Sequence, residues 1–289
     1  MLKSKILSSP NDLWLVWILR LLAMIAGAIA LLIVVFLILE SLPALNHVGL
    51  RRFFTDASWN PTAGFYNLLP MLWGTLLAMI GSVLIATPVG ILSGVFCQFY
   101  APVKVAALYR RLIELLAGIP SVVYGFWGLV VLVPLINQIH PPGTSLLAGI
   151  AILTIMILPT MALVADASLA KVPVSYIQGA AVLGLSRWAT IRHIVFPAAK
   201  SGLFTGLILQ TGRAIGETMA ILMVCGNVVQ TPKSLFDPIR TLTANIALEM
   251  AYATADHRSA LFVSGLVLMG LIAMLVAIAE VISQGKIYG

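Results

Sequence analysis

The sequence predicts an all-α polytopic membrane protein, and three observations carry that prediction. Of the 289 residues, 61% are hydrophobic and only 9% are charged, against roughly 25% charged in an ordinary soluble domain. The mean hydropathy is +1.05. The apolar residues also gather into six runs long enough for a bilayer core of about 30 Å, which takes roughly 20 residues of helix. The net charge of +7 and the pI near 9.7 come from residues in short loops between those runs. They read as topology-setting lysines and arginines, not as a nucleic-acid surface.

The first run, 13–39, is interrupted only by Arg20. It exceeds the roughly 7 to 15 apolar residues of a cleaved signal peptide and reads as a retained first transmembrane helix. Five further spans are predicted at about 69–99, 112–136, 145–170, 202–229 and 260–282. Lys3, Lys5, Arg20, Lys104, Arg110, Arg111, Lys171, Arg187, Arg192, Lys200 and Lys286 fall on one side, eleven against the five of Arg51, Arg52, Lys233, Arg240 and Arg258. The positive-inside rule then places both termini in the cytoplasm. Residues 1–68 form the first helix and first periplasmic loop, and 69–289 hold the remaining five spans.

Pro88, Pro120, Pro134 and Pro159 fall within or at the ends of spans. Each frees a backbone carbonyl and permits a kink, tolerated where protein or a wet cavity satisfies the freed group. Packing explains most single prolines. In Gly118-Ile119-Pro120-Ser121-Val122-Val123-Tyr124-Gly125 small, kinked and hydroxyl-bearing residues coincide, which makes the stretch a candidate path lining with Ser121 as a hydroxyl donor.

The fifth run contains Thr211-Gly212-Arg213-Ala214-Ile215-Gly216-Glu217-Thr218-Met219-Ala220. Two full charges there cost about 2.5 to 3.5 kcal/mol each near a helix centre, so they persist only where they pair, face other helices or line a wet path. If the helix enters at Gly202, Arg213 lies roughly 16 Å deep, near the midplane. The i, i+4 spacing puts Arg213 and Glu217 on one helix face. The functional reading is a cation for an anionic solute, with Thr218 as a further hydroxyl donor; the structural alternative is a buried ion pair that fixes packing.

Other residues point away from chemistry. Cys97 and Cys225 fall near opposite ends of their spans, too far apart for a disulfide. His47, His140, His193 and His257 show no metal-binding spacing, so no metal site is expected. Two outward loops, 40–68 and 230–259, are long, and the second suits an amphipathic helix with Leu242, Ile246 and Met250 on one face. That helix either packs on its own bundle or presents a docking surface.

The inward loop 171–199 predicts helix, turn and helix. Pro173 suits a first turn, Gly184 a left-handed cap, Ser186 the next N-cap and Pro197 a stop or kink. Its Ala180, Ala181, Leu183, Leu185 and Trp188 offer more apolar surface than a solvated connector needs, which favours a partner interface.

This loop resembles the signature of bacterial ABC importer permeases: Glu-Ala-Ala, three residues, Gly, nine residues, then Ile-x-Leu-Pro. Here it reads Gln178-Gly179-Ala180, Gly184, Ile194 and Phe196-Pro197 with the spacing intact. The stretches 119–125 and 212–220, Gly226-Asn227, and 236–250 beginning Phe-Asp-Pro-Ile-Arg are similar to the phosphate-specific permeases of the PstC type. The resemblance covers about 53–289. It implies the type I ABC importer fold with six transmembrane helices in the bacterial inner membrane. It further implies a sister permease of the PstA type, a dimeric ATPase of the PstB type carrying ATP and Mg, and a periplasmic phosphate-binding protein of the PstS type. By the same resemblance Gln178, Gly179, Ala180, Gly184, Arg187, Ile194 and Pro197 belong to a coupling helix seated on the ATPase. Lipid is the remaining partner, and no cofactor is expected on this chain.

No Gly-x-x-x-x-Gly-Lys-Ser/Thr loop occurs, so ATP hydrolysis is expected on a separate subunit and this chain is not expected to be an enzyme. A gradient-driven secondary anion transporter is one alternative, because intramembrane Arg and Glu also serve proton coupling. An ABC permease for a related oxyanion is another. An intramembrane enzyme would need a nucleophile and base together in the spans, where no Cys-His pair is available.

Overall fold

The computed structural model describes residues 10–284, with side chains described over 14–278. Lys3, Lys5 and Lys286, counted above toward the cytoplasmic side, lie outside the described residues. Six helices are long and apolar enough to cross a membrane. The long helices are α1 (Pro10–His47), α2 (Leu69–Tyr100), α4 (Ser121–Ile139), α5 (Leu146–Ala170), α7 (Arg187–Ile215) and α10 (Ala255–Gln284). Between them lie α3 (Val103–Ala117), α6 (Val174–Val182), α8 (Met219–Val224) and α9 (Leu242–Glu249). A two-stranded antiparallel pair, β1 (Trp59–Asn60) and β2 (Phe65–Tyr66), registers Trp59 opposite Tyr66.

The most apolar part of α5 is 56% buried and that of α1 is not buried at all. In a bundle where every span is apolar, this contrast separates the central helix from the peripheral one. α5 packs along α2 at close range because two glycines remove side chains from the contact. A Cβ on Gly90 would lie 2.7 Å from Met161 Cβ, and one on Gly94 would lie 2.8 Å from the Asp166 backbone nitrogen. Small residues let helix backbones approach where there is no hydrophobic drive between them. Gly94→Val is therefore expected to force α2 and α5 apart, at about 1–3 kcal/mol as for overpacked cores. A lowered thermal midpoint of the protein in detergent, with Gly94→Ala intermediate, checks this.

Polar side chains seal the same region. Arg110 on α3 forks onto Asp166 of α5, with Nε donating to Oδ2 at 2.8 Å and Nη2 to Oδ1 at 3.0 Å, and Gln98 Nε2 donates to Oδ1 at 2.8 Å. Ser93 and Tyr109 share a hydrogen bond of 2.7 Å. These contacts fix α3 as a separate helix, where the sequence predicts a third span starting at 112. The span instead starts at Ser121. Proline has no N–H and pushes the preceding residue out of helical geometry, and Pro120 is itself extended at φ −60°, ψ 141°.

The fifth span differs in two ways. It begins at Arg187 and passes through Pro197 without stopping, because a wider π-type turn at Ile191–Val195 absorbs the missing hydrogen bond. It ends at Ile215, so the apolar run 202–229 is two helices, α7 and α8, separated by Gly216–Thr218. Hydropathy is blind to this break.

At the α9 end, Ala44, Phe53, Trp59, Tyr66 and Leu68 share an apolar core with Met71, Leu242, Leu261 and Val263. α9 packs into its own bundle: Leu242, Thr243, Ala244, Asn245 and Glu249 are all buried. Cys97 and Cys225 are both free and buried.

Candidate functional site

Arg213 lies in the last turn of α7, where a cation meets the negative end of the helix dipole. Glu217 stands two residues past the end of α7, so the expected shared helix face is not formed. The Glu217 carboxylate instead caps the next helix, with Oε1 accepting from Ala220 N at 3.0 Å. This local bond competes with continuation of the backbone helix and accounts for the break. Among the described residues Arg213 makes no ion pair. Its side chain is exposed, and a Cβ on the neighbouring Gly212 would meet nothing within 4 Å.

The other two path candidates lie beside this break. Thr218 is half-buried and donates its hydroxyl to the Gly216 carbonyl at 3.3 Å. Ser121, also half-buried, opens α4 one turn before Gly125. Gly125 is where α4 meets α8: a Cβ there would be 2.8 Å from Ala220 Cα. Tyr124 of α4 closes the Gly118–Pro120 break by donating to the Leu116 carbonyl at 2.8 Å. The helix that follows the Gly118–Pro120 break thus packs on the helix that follows the Gly216–Thr218 break. The arrangement offers a guanidinium fork, hydroxyls and a nearby carboxylate on an open face.

The second constellation is the turn between α6 and α7. Gly184 takes φ +71°, the left-handed cap predicted. Ser186 caps α7, its Oγ accepting from Ala189 N at 3.3 Å, and Pro173 stands at the N-cap of α6, one position before its first turn. Gln178, Gly179, Gly184, Arg187 and Pro197 are exposed and Ile194 is half-buried. Ala180 is buried at 1% exposure, so it packs inward and does not join the apolar surface. Val182, at 88% exposed, and Leu183, at 77%, form the tip. No bundle contact explains such side chains, and a contiguous apolar patch marks an interaction site.

A third cluster escaped sequence reasoning. Glu249 is 8% exposed; it accepts from Arg240 Nη1 at 2.6 Å and Trp59 Nε1 at 2.9 Å, and lies 2.9 Å from His257 Nε2. Its partners come from three separate segments, so no spacing rule announces them. Removing one partner of such a buried pair typically costs about 3–5 kcal/mol. Nearby, the Lys233 and Ser234 backbone N–H groups hold the Asp237 carboxyl below the usual carboxylate range.

Comparison with known proteins bears on what this geometry is for. Residues 86–287 match the family model of the binding-protein-dependent transport system inner membrane component. The chain belongs to that family. This permease is 42% identical over 256 residues to a probable ABC transporter permease protein, YqgH, of Bacillus subtilis, covering 86% of this chain and 82% of that one. It is 35% identical over 250 residues to the phosphate transport system permease protein PstC of Mesorhizobium japonicum, covering 79% and 76%. In structure it resembles a bacterial ABC transporter involved in the import of alginate, with TM-score 0.68 over 96% of this chain and 98% of the other at 14% identity. It also resembles the methionine transporter MetNI, with TM-score 0.57 at 20% identity over 75% of this chain and 93% of the other. These likenesses show the type I ABC importer permease fold. The permease is a multi-pass protein of the inner membrane.

Proposed function

We propose that this chain is the transmembrane permease subunit of an ATP-driven phosphate importer, forming half of the translocation path. Its kinship with phosphate transport permeases, at 35% identity over most of both chains, carries the reading. The unpaired Arg213 on an open face supplies the chemistry. Phosphate carries one to two negative charges near neutral pH, and an arginine fork donates two hydrogen bonds to adjacent phosphate oxygens. Arg213 makes that contact transiently. Glu217 supplies a negative charge that keeps the site from holding its load too tightly, and Thr218 and Ser121 add hydroxyl donors. The open face completes itself against a sister permease of the PstA type.

In this reading the α6 end is cytoplasmic, as are both termini, and the α9 end is periplasmic. Residues 1–68 form the added first helix and periplasmic loop, and 69–289 the importer core. The tip formed by Val182, Leu183 and Gly184 seats in an ATPase of the PstB type, which carries ATP and Mg. A periplasmic protein of the PstS type delivers phosphate at the opposite end.

The deciding experiment reconstitutes the permease with these partners in vesicles and follows radiolabelled phosphate. Uptake is expected to require ATP and to persist with an uncoupler. Uptake that survives without ATP but collapses with the uncoupler would establish a gradient-driven transporter instead. Preference for sulfate over phosphate would assign a different oxyanion.

A further inference from the structure

The buried carboxylate of Glu249 gathers three outer segments. Trp59 belongs to the β1–β2 pair, Arg240 to the chain preceding α9, and His257 to the first turn of α10. Arg240 extends the cluster, its Nε donating to the Asn227 carbonyl at 2.9 Å and its Nη1 to Asn245 Oδ1 at 3.1 Å. Glu249 is the last residue of α9. The other end of α9 is fixed as firmly: Thr241 Oγ1 accepts from Ala244 N at 3.2 Å, and Leu242 N donates to Thr75 Oγ1 of α2 at 3.0 Å.

Between those anchors lies Thr243, buried at 7% exposure. Its hydroxyl donates to the backbone carbonyl of Glu217 at 3.0 Å. Thr243 and Glu249 are six residues apart on one short helix, a rise of about 9 Å. A displacement of the Glu249 end therefore reaches the α7–α8 break through a single rigid element.

We propose that Glu249 is a positioning residue for the α7–α8 break: held by Trp59, Arg240 and His257, it fixes α9, and α9 through Thr243 fixes the Glu217 peptide beside Arg213. The transport role of this positioning rests on the reading of that break as part of the phosphate path. The chemistry asks for a carboxylate. Two acceptor oxygens take donors from an arginine, an indole and an imidazole together, whereas glutamine turns an N–H₂ group toward one of those donors. The carboxylate also compensates a mostly buried guanidinium. No other hydrogen bond joins α9 to the break among the described residues.

The test uses the assembled importer and two variants. Glu249→Gln loosens the cluster, and Thr243→Val removes the hydroxyl with its contacts to the Glu217 carbonyl and, at 3.1 Å, to Thr241 Oγ1, with Thr243→Ser as the variant that keeps both. Amide hydrogen exchange over 216–224 is expected to rise at least fivefold in Glu249→Gln and in Thr243→Val, and to stay at the wild-type rate in Thr243→Ser. Phosphate carried per ATP hydrolysed is expected to fall at least fivefold in the first two, with the ATPase still bound. Faster exchange confined to 59–66 and 240–257, with 216–224 unchanged, would reduce Glu249 to a local cap and overturn the proposal. If Glu249→Gln does not assemble, Thr243→Val decides alone, and wild-type exchange over 216–224 in that variant overturns it. The exchange readout needs no substrate, so faster exchange in an importer that carries no phosphate would sink the phosphate reading and leave the positioning role standing.

Discussion

Arg213→Ala is expected to reduce phosphate uptake by about 100-fold or more in an importer that still assembles and hydrolyses ATP. The size follows from the lost bonds: a hydrogen bond to a charged group contributes about 1.5–3 kcal/mol, and a forked guanidinium makes two. Assembly is expected to survive because of what Arg213 does not do. It is exposed and makes no ion pair among the described residues, so its removal leaves no carboxylate stranded. This distinguishes it from Arg110, whose loss would strand Asp166. Arg213→Lys keeps the charge but not the fork and is expected to fall between wild type and alanine. Vesicle uptake, measured beside ATP hydrolysis on the same preparation, checks the order. Normal uptake in Arg213→Ala would return the residue to a packing role, and loss of assembly would do the same.

The number of spans was legible because burying roughly 20 apolar residues in lipid overrides local preference, while the bounds of the third and fifth were not. Gly184 and Ser186 were legible for a different reason. A left-handed position and an N-cap each demand a particular side chain, and both demands are local. The break after Ile215 was not legible, since Gly216 and Thr218 barely disturb the apolar run and the cap from Glu217 to Ala220 is decided only once α8 turns. Pro197 reads as a stop or a kink, and between those two the structure excludes the stop: the π-type turn at Ile191–Val195 lets the helix run on. The Glu249 cluster had no local signal at all: Trp59 and Glu249 are 190 residues apart, and only the tertiary fold unites them.

Leu183→Asp is expected to strip the ATPase from the purified complex, lowering its recovery at least tenfold while the permease stays in the membrane. Leu183 is 77% exposed and Val182 88% exposed, so neither supports the bundle, and an aspartate at Leu183 leaves the fold untouched. Burying that carboxylate unpaired in a docking groove costs several kcal/mol, well beyond the 1.4 kcal/mol that a tenfold loss requires. Gly184→Val acts by another route to the same result. At φ +71° a β-branched side chain is strained, and the turn that presents Val182 and Leu183 is redirected. The consequence extends beyond affinity because α7 runs unbroken from Arg187, three residues past Gly184, to Ile215, two residues past Arg213. A single helix of 29 residues, with a π-type turn at Ile191–Val195, joins the α6–α7 turn to the last turn before the break. A Gly184→Val importer that retains some ATPase is therefore expected to hydrolyse ATP with less phosphate carried per turnover. Full ATPase recovery with unchanged uptake per ATP in both variants would remove the α6–α7 turn from the coupling route.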